Sequence, residues 1–186
     1  MSFKYCVRLS GSSKHGFKQA ARILAEAVAI YGDKFALESA SFGPEARSNT
    51  ARAEVIISDE AIDNPKIKVV DFLLVMTQEA FDKYIEDLSP EGVVVTDIDI
   101  ETGEKTCGSK LYQIPFLDIV KTEVEKYSMI NIFVLGVFSS LSDVVDEKAI
   151  RLAIIARAPK LSESNYLNAF QAGIKAGNQQ SSGNTD

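Results

Sequence analysis

The chain has 186 residues, 46% of them hydrophobic, which is enough to build one domain with a substantial buried core. With 20 Lys and Arg against 26 Asp and Glu, the net charge of -6 argues against general binding to nucleic-acid phosphates. Two cysteines and one histidine are too few for a zinc or iron-sulfur site, and no apolar run approaches the roughly 20 residues of a membrane span, so we expect a cytoplasmic protein without a metal.

The N-terminal third predicts a strand, a glycine-bearing turn and a helix, followed by two more strands. Residues 3 to 9 alternate apolar and polar side chains, as a strand does, and residues 17 to 31 repeat apolar positions at helical spacing before Gly32. Residues 35 to 42 and 51 to 58 alternate again around a short loop. This pair of strands is predicted to be antiparallel.

The rest of the chain predicts further strands and then mainly helices. Residues 69 to 76 are nearly all apolar, which is typical of a central strand, and residues 77 to 88 have helical spacing. Two shorter strands are predicted at residues 93 to 100 and 111 to 115. Helical periodicity then covers residues 116 to 126, 130 to 141, 146 to 157 and 162 to 176.

Strands that alternate with helices predict an α/β protein. We expect a three-layer α/β/α sandwich around a mixed, largely parallel sheet, in a single domain over residues 1 to 177. Residues 178 to 186 are polar and have no apolar anchor, so they are predicted to be a disordered tail.

The turn after the first strand is the first candidate ligand site, because α/β proteins bind ligands at the carboxyl ends of their strands. A helix N-terminus that follows a glycine loop can bind a phosphate through its free amides. The turn matches neither the dinucleotide nor the P-loop glycine pattern, so an ordinary strand-to-helix connection remains an alternative. Its candidate residues are Gly11, Ser12, Ser13, Lys14, His15 and Gly16.

The loop between the two antiparallel strands is the second candidate. It places Glu45, Arg47 and Arg52 between or beside strand ends, where binding residues are common. The first 58 residues carry 8 basic and 5 acidic side chains, so an anionic ligand or acidic partner is one reading and scattered surface charge is the other. The sequence lacks the G-x-S-x-G pattern of a nucleophile elbow, and we assign no catalytic residue.

Several segments, taken in order, resemble one known family. They are SGSSKHGF, SFGPEARSNTARAEVIISDEAID, VVDFLLVMTQEAFDKY, INIFVLG and NAFQAGIKAG. Together they are similar to the gamma subunit, or gamma domain, of 2-oxoacid:ferredoxin oxidoreductases, over roughly residues 3 to 177. The run GPEAR followed by RAEV is the most specific part.

The resemblance implies membership of a complex that oxidatively decarboxylates a 2-oxoacid such as pyruvate or 2-oxoglutarate, forms an acyl-CoA and reduces ferredoxin. Thiamine diphosphate and the iron-sulfur clusters would belong to alpha, beta and possibly delta subunits. This chain would bind no cofactor alone. It would serve assembly and contacts on the coenzyme A side, for which Lys14, Arg47 and Arg52 are the candidate cations.

The chain departs from the family pattern at glycines. Members usually have G-x-G-G-Q-G in the first loop and ARGG in the second, whereas this chain has side chains at Ser13, Lys14, Ser48 and Asn49. Side chains hinder positive φ angles and close backbone approach. The alternatives are therefore a diverged free-standing binding or regulatory domain and, more remotely, a flavodoxin-like mononucleotide-binding protein.

The segment from residue 129 to 141 is apolar almost all round, so it is either a core helix or a subunit contact. As interface residues we expect Asn131, Phe133 and Phe138. Together with Phe116 and Leu117, this segment also predicts self-association of the isolated chain.

Overall fold

A computed structural model of the chain describes residues 3–42, 50–106, 109–124 and 127–183. Its strands are β1 (Lys4–Ser12), β2 (Phe35–Phe42), β3 (Thr50–Ser58), β4 (Val70–Val75), β5 (Leu88–Asp97) and β6 (Lys110–Ile114). Its helices are α1 (Phe17–Tyr31), α2 (Gln78–Tyr84), α3 (Phe116–Ile119), α4 (Ile130–Leu141), α5 (Glu147–Arg157) and α6 (Glu163–Gly183).

The six strands form one mixed sheet in the order β2-β3-β1-β4-β5-β6. β3 is antiparallel to both β2 and β1, while β1, β4, β5 and β6 run parallel to one another. The mixed sheet and the antiparallel pair predicted from residues 35 to 58 are confirmed. The ends of β1, β4, β5 and β6 lie along one border, which we call the carboxyl edge.

The two faces of the sheet carry unequal helical layers. α1, α4, α5 and α6 share one large apolar core with alternate residues of the strands, such as Val7, Val55 and Phe72. On the other face, α2 buries Phe81 and Tyr84 in a smaller cluster with β4 and β5. The expected α/β class holds, but most helices pack on one face of the sheet and the other layer is built around one short helix, α2.

Several elements differ from their predicted extent, among them β5, which spans Leu88–Asp97 and not residues 93 to 100. β1 continues through Ser12, because Ser10, Gly11 and Ser12 still pair with β3. The helix predicted over residues 116 to 126 is α3 followed by a wider π-type turn over Val120–Val124, where the Thr122 hydroxyl donates to the Asp118 carbonyl oxygen at 2.8 Å. A side-chain donor of this kind competes with the helical backbone bonds.

α6 is longer than the helix predicted over residues 162 to 176. It continues to Gly183, so the first six residues of the segment expected to be a disordered tail are helical. The helix is supported where Gly177 packs against Ser140 of α4, close to the start of that segment. The last three residues of the predicted tail lie outside the described residues.

α4 and α6 approach each other so closely that their backbones touch. A Cβ atom added to Gly136 would lie 2.1 Å from the Phe170 carbonyl oxygen, and one added to Gly173 would lie 2.0 Å from that of Phe133. Only glycine fits at these two positions, because helical backbone cannot move aside without shifting the whole helix. The contact explains why α4 is buried along nearly its whole length.

We predict that Gly136→Ala or Gly173→Ala lowers the free energy of unfolding by about 3 kcal/mol, because each methyl group would overlap a backbone carbonyl. In an ordinary helix the same change stabilises by about 1 kcal/mol. Gly177→Ala is the matched control, since its Cβ would meet the Ser140 hydroxyl, which can rotate away. Urea unfolding followed by circular dichroism measures the three values. Stabilisation by the first two substitutions would contradict the close contact.

Candidate functional site at the carboxyl edge

The connection from β1 to α1 is a tight turn and not an open glycine loop. A single 3-10 turn, Ser13–His15, follows β1, and the Ser12 hydroxyl accepts a hydrogen bond from the Lys14 amide at 3.4 Å. Gly16 then adopts φ 68°, a left-handed conformation that side chains rarely allow, and α1 begins without a side-chain cap. Ser13 and Lys14 are exposed on the outside of this turn.

His15 fills the inside of the same turn. Its side chain is only 6% exposed, its ring lies 5.3 Å from that of Phe17, and a Cβ atom on Gly11 would come within 2.7 Å of its Nδ1 atom. Gly11 therefore makes room for the imidazole, and neither residue is presented to an external ligand. Burial lowers the pKa of His15, so the ring is held in its neutral form.

Arg52 lies on the α2 face of the sheet, whereas α1 packs against the other face. Its guanidinium is partly exposed, lies 3.7 Å from the Glu54 carboxylate and stands 5.9 Å from the centre of the Tyr84 ring. The described contacts thus join Arg52 to Glu54 and Tyr84, and not to Lys14. Glu45 and Arg47, the other charged candidates, lie outside the described residues, between the end of β2 and the start of β3.

Arg8 is a buried charge, and the sequence did not mark it out from the other basic residues of the N-terminal region. Its side chain is 1% exposed, its Nε donates to Glu54 at 2.7 Å, and it forms an ion pair with Asp87. Its guanidinium also stands 4.8 Å from the centre of the Tyr84 ring. We call Arg8, Arg52, Glu54, Tyr84 and Asp87 the arginine cluster. It fixes β1, β3 and the segment after α2 to one another.

Asp97 is a second buried charge, at the end of β5. It accepts a hydrogen bond from the Asp99 amide at 3.2 Å, and its carboxyl group faces the amides of Phe116 and Leu117 at the start of α3. Burial raises its pKa, although these amides act in the opposite direction. The Asp97 carboxyl group therefore lies close to the start of α3, at the carboxyl edge.

The three residues expected at a subunit interface are core residues of this chain. Phe133 packs edge-on against Phe116, and Phe138 packs against Phe72 at 5.0 Å between ring centres. The Asn131 Nδ2 atom donates to the Gln19 side chain at 3.0 Å, which links α4 to the start of α1. All three are buried within the chain, because α6 covers the side of α4 that the sheet leaves open. The self-association expected from this segment thereby loses its basis.

Three further features of the described residues bear on function. His, Cys, Asp and Glu side chains do not gather there in groups of three or more that could bind a metal ion. None of the described helices is both long and apolar enough to cross a membrane. An open hollow of about 480 Å³ lies at the opposite edge of the sheet, lined by Lys4, Cys6, Lys66, Lys68 and Asp71 among others, where no ligand site was predicted.

Comparison with known proteins places this arrangement in a family. Residues 6–176 match the family described as pyruvate ferredoxin/flavodoxin oxidoreductase. The chain belongs to this family. The resemblance found in the sequence is therefore confirmed.

Two full-length relatives agree with the family match. The chain is 37% identical over 171 residues to the 2-oxoglutarate synthase subunit KorC of Methanocaldococcus jannaschii, covering 91% of each chain. It is 34% identical, with a TM-score of 0.86, to the crystal structure of a keto/oxoacid ferredoxin oxidoreductase gamma subunit from Geobacter sulfurreducens, covering 96% of this chain and 98% of that one.

A larger enzyme shares the fold. The 2-oxoglutarate:ferredoxin oxidoreductase of Magnetococcus marinus, solved with 2-oxoglutarate, coenzyme A and succinyl-CoA bound, matches 95% of this chain with a TM-score of 0.82 and 21% identity. The match covers 31% of that polypeptide. The fold of this family member thus occurs both as a separate chain and as part of a longer one.

For this family member we predict that stability falls as the pH drops from 7 to 5, partly because of His15. Its pKa is lowered in the folded state, so below about pH 6.5 the unfolded chain binds a proton that the folded chain does not. This difference in proton binding lowers the free energy of unfolding by up to about 1.4 kcal/mol for each pH unit. Thermal unfolding from pH 5 to 8 should show a smaller loss for His15→Gln than for the wild type. Parallel curves for the two proteins would contradict the assignment.

Proposed function

We propose that the chain is the gamma subunit of a 2-oxoglutarate:ferredoxin oxidoreductase. The observation that carries the proposal is the end-to-end match, in sequence with a 2-oxoglutarate synthase subunit and in structure with a separate gamma subunit. The complex would convert 2-oxoglutarate and coenzyme A into succinyl-CoA and carbon dioxide, and two electrons would pass to ferredoxin. It would act in the cytoplasm, where coenzyme A and ferredoxin are available.

The division of labour within the complex follows from the same proposal. Alpha and beta subunits, with a delta subunit in a four-chain complex, would hold thiamine diphosphate and the iron-sulfur clusters, which supply decarboxylation and electron transfer. The gamma chain would contribute a rigid α/β body. Its arginine cluster and the α4–α6 contact make that body stiff on both faces of the sheet.

The contact with coenzyme A is the finer part of the proposal. Ser13 and Lys14 are exposed beside the uncapped N-terminus of α1, so they can bind a phosphate from the outside of the turn. The turn cannot wrap around an anion, because His15 occupies its interior. Gly11 and His15 are thus supports, while Lys14 and Arg47 are the proposed phosphate contacts. Arg52 is less suited, since it lies on the α2 face of the sheet, 3.7 Å from the Glu54 carboxylate.

A diverged binding or regulatory domain is the second candidate function. It is favoured by one observation: side chains replace the family's usual glycines at Ser13 and Lys14, and the turn is filled by His15. In that case the chain would be recovered without catalytic partners.

Purification from the native source through a tag on this chain tests the main proposal. We expect copurification of partner subunits and a complex that reduces ferredoxin only when both 2-oxoglutarate and coenzyme A are supplied. The kcat/KM for 2-oxoglutarate should exceed that for pyruvate. Recovery of the chain alone, or a partner complex that is fully active after the chain is removed, would overturn the proposal.

Replacing Lys14 or Arg47 by Ala tests the coenzyme A contact within that complex. Losing one charge-assisted contact worth about 1.5 kcal/mol should raise the apparent KM for coenzyme A about tenfold. The KM for 2-oxoglutarate should stay constant, and so should subunit composition. Arg151→Ala is the matched control, because Arg151 is on α5 and bonds to Glu147 and Gln171. An intact complex with unaltered coenzyme A dependence would remove the substituted residue from the site.

A further inference from the structure

β2 forms one end of the sheet, and its outer side has no neighbouring strand in the described part of the chain. All eight of its residues pair with β3 in continuous register, from Phe35 opposite Ser58 to Phe42 opposite Ala51. Every second backbone N–H and C=O group of β2 therefore points away from the sheet. Such an edge is a template for pairing with another strand.

The usual protections of an edge strand are missing from β2. Its sequence, FALESASF, contains no proline and no lysine, and its pairing with β3 has no bulge. Its one charged residue, Glu38, lies on the α1 face of the sheet. There it helps to raise the pKa of Arg157, after the larger effect of the Arg157 hydrogen bond to Glu26. Glu38 is thus the only charge on β2, and its side chain is exposed.

We propose that β2 pairs antiparallel with β2 of a second copy of this chain, about a two-fold axis through Ser39, to form one continuous sheet of twelve strands. The inference rests on β2 itself and is independent of the proposed enzymatic role.

The register follows from symmetry and charge. A two-fold axis normal to a sheet pairs only residues that share a face. One residue must therefore lie opposite its own copy, and we name the axis by that residue. An axis through Glu38 would oppose two carboxylates, which is unfavourable. An axis through Ser39 instead places Glu38 opposite the second copy's Ala40 and Leu37 opposite its Ser41. Like charges then do not face each other across the ladder, and two serine hydroxyls meet at its centre.

Apolar surface beside the edge supports a second copy as the occupant. Ile30 at the end of α1 and Phe35 at the start of β2 are 67% and 53% exposed, and both line a hollow of about 480 Å³ with Ala36. In the Ser39 register the ladder ends where Ala36 faces residue 42 of the second copy. The end of each β2 would therefore approach the hollow of the other copy. By the two-fold symmetry, the apolar surface around the hollow would be covered in both copies.

Cysteine cross-linking tests both the partner and the register. In a Cys107→Ser background, buried Cys6 is the only other cysteine. Ser39→Cys places two thiols directly opposite, with Cα atoms about 5 Å apart, within disulfide range. Ser41→Cys is the matched control on the same strand and face. Its two copies would be offset by four residues, about 13 Å, which is beyond that range.

Under mild oxidation we expect a cross-linked dimer from Ser39→Cys and little from Ser41→Cys. Light scattering of the wild-type chain should show a mass that rises with concentration toward twice that of one chain. Equal cross-linking of the two variants would indicate random collision and would overturn the proposal. A wild-type protein that stays monomeric, or one that dimerises without cross-linking through Ser39→Cys, would overturn it as well.

Charge substitutions at the axis give a second test, at a residue whose side chain is exposed. Ser39→Lys and Ser39→Glu should each weaken the dimer, since like charges would meet across the axis. An equal mixture of the two variants should restore association, because opposite charges then face each other. Unchanged dimerisation in either single variant would contradict the Ser39 register.

Discussion

The backbone contact between α4 and α6 is the constraint on which the rest of the protein depends. Because Gly136 and Gly173 bring the helices together at backbone distance, α4 can lie between the sheet and α6 and be covered on all sides. Its first turn then holds Asn131 next to Gly16 and bonded to Gln19. The turn at the carboxyl edge is thus positioned by a helix pair that comes more than 100 residues later in the sequence.

Most elements of the fold were accessible from periodicity alone. Alternating residues in β2 and β3 predicted an antiparallel pair, and the apolar run of β4 predicted a central strand. Periodicity does not reveal what covers a helix, however. The all-apolar sequence of α4 was compatible with a core helix and with a subunit contact. α4 is a core helix because Gly136 and Gly173 let α6 pack directly against it, and this contact is visible only in the tertiary structure. The end of α6 and the π-type turn after α3 also depend on such local packing.

The candidate site was predicted less completely than the fold. The sequence predicted a candidate site at the β1–α1 connection, and Ser13 and Lys14 are exposed there. It did not predict that His15 would fold inward over Gly11, because a histidine in a polar turn has no apolar periodicity. The arginine cluster was missed for a different reason. Glu54 lies 46 residues after Arg8 in the sequence, and Asp87 lies 79 residues after it, so only the tertiary structure brings the three together.

The late position of α4 and α6 in the chain has a consequence during synthesis on the ribosome. Ile23, Leu24 and Val55, on the face that these helices cover, are translated long before Phe170 and Ile174, which complete the same core. Until the last helix emerges, the sheet and α1 present an apolar face to the surrounding solvent. Nascent chains of this kind bind chaperones and associate with one another. The amount of folded protein made in a cell is therefore sensitive to how quickly the final third of the chain is translated and docked.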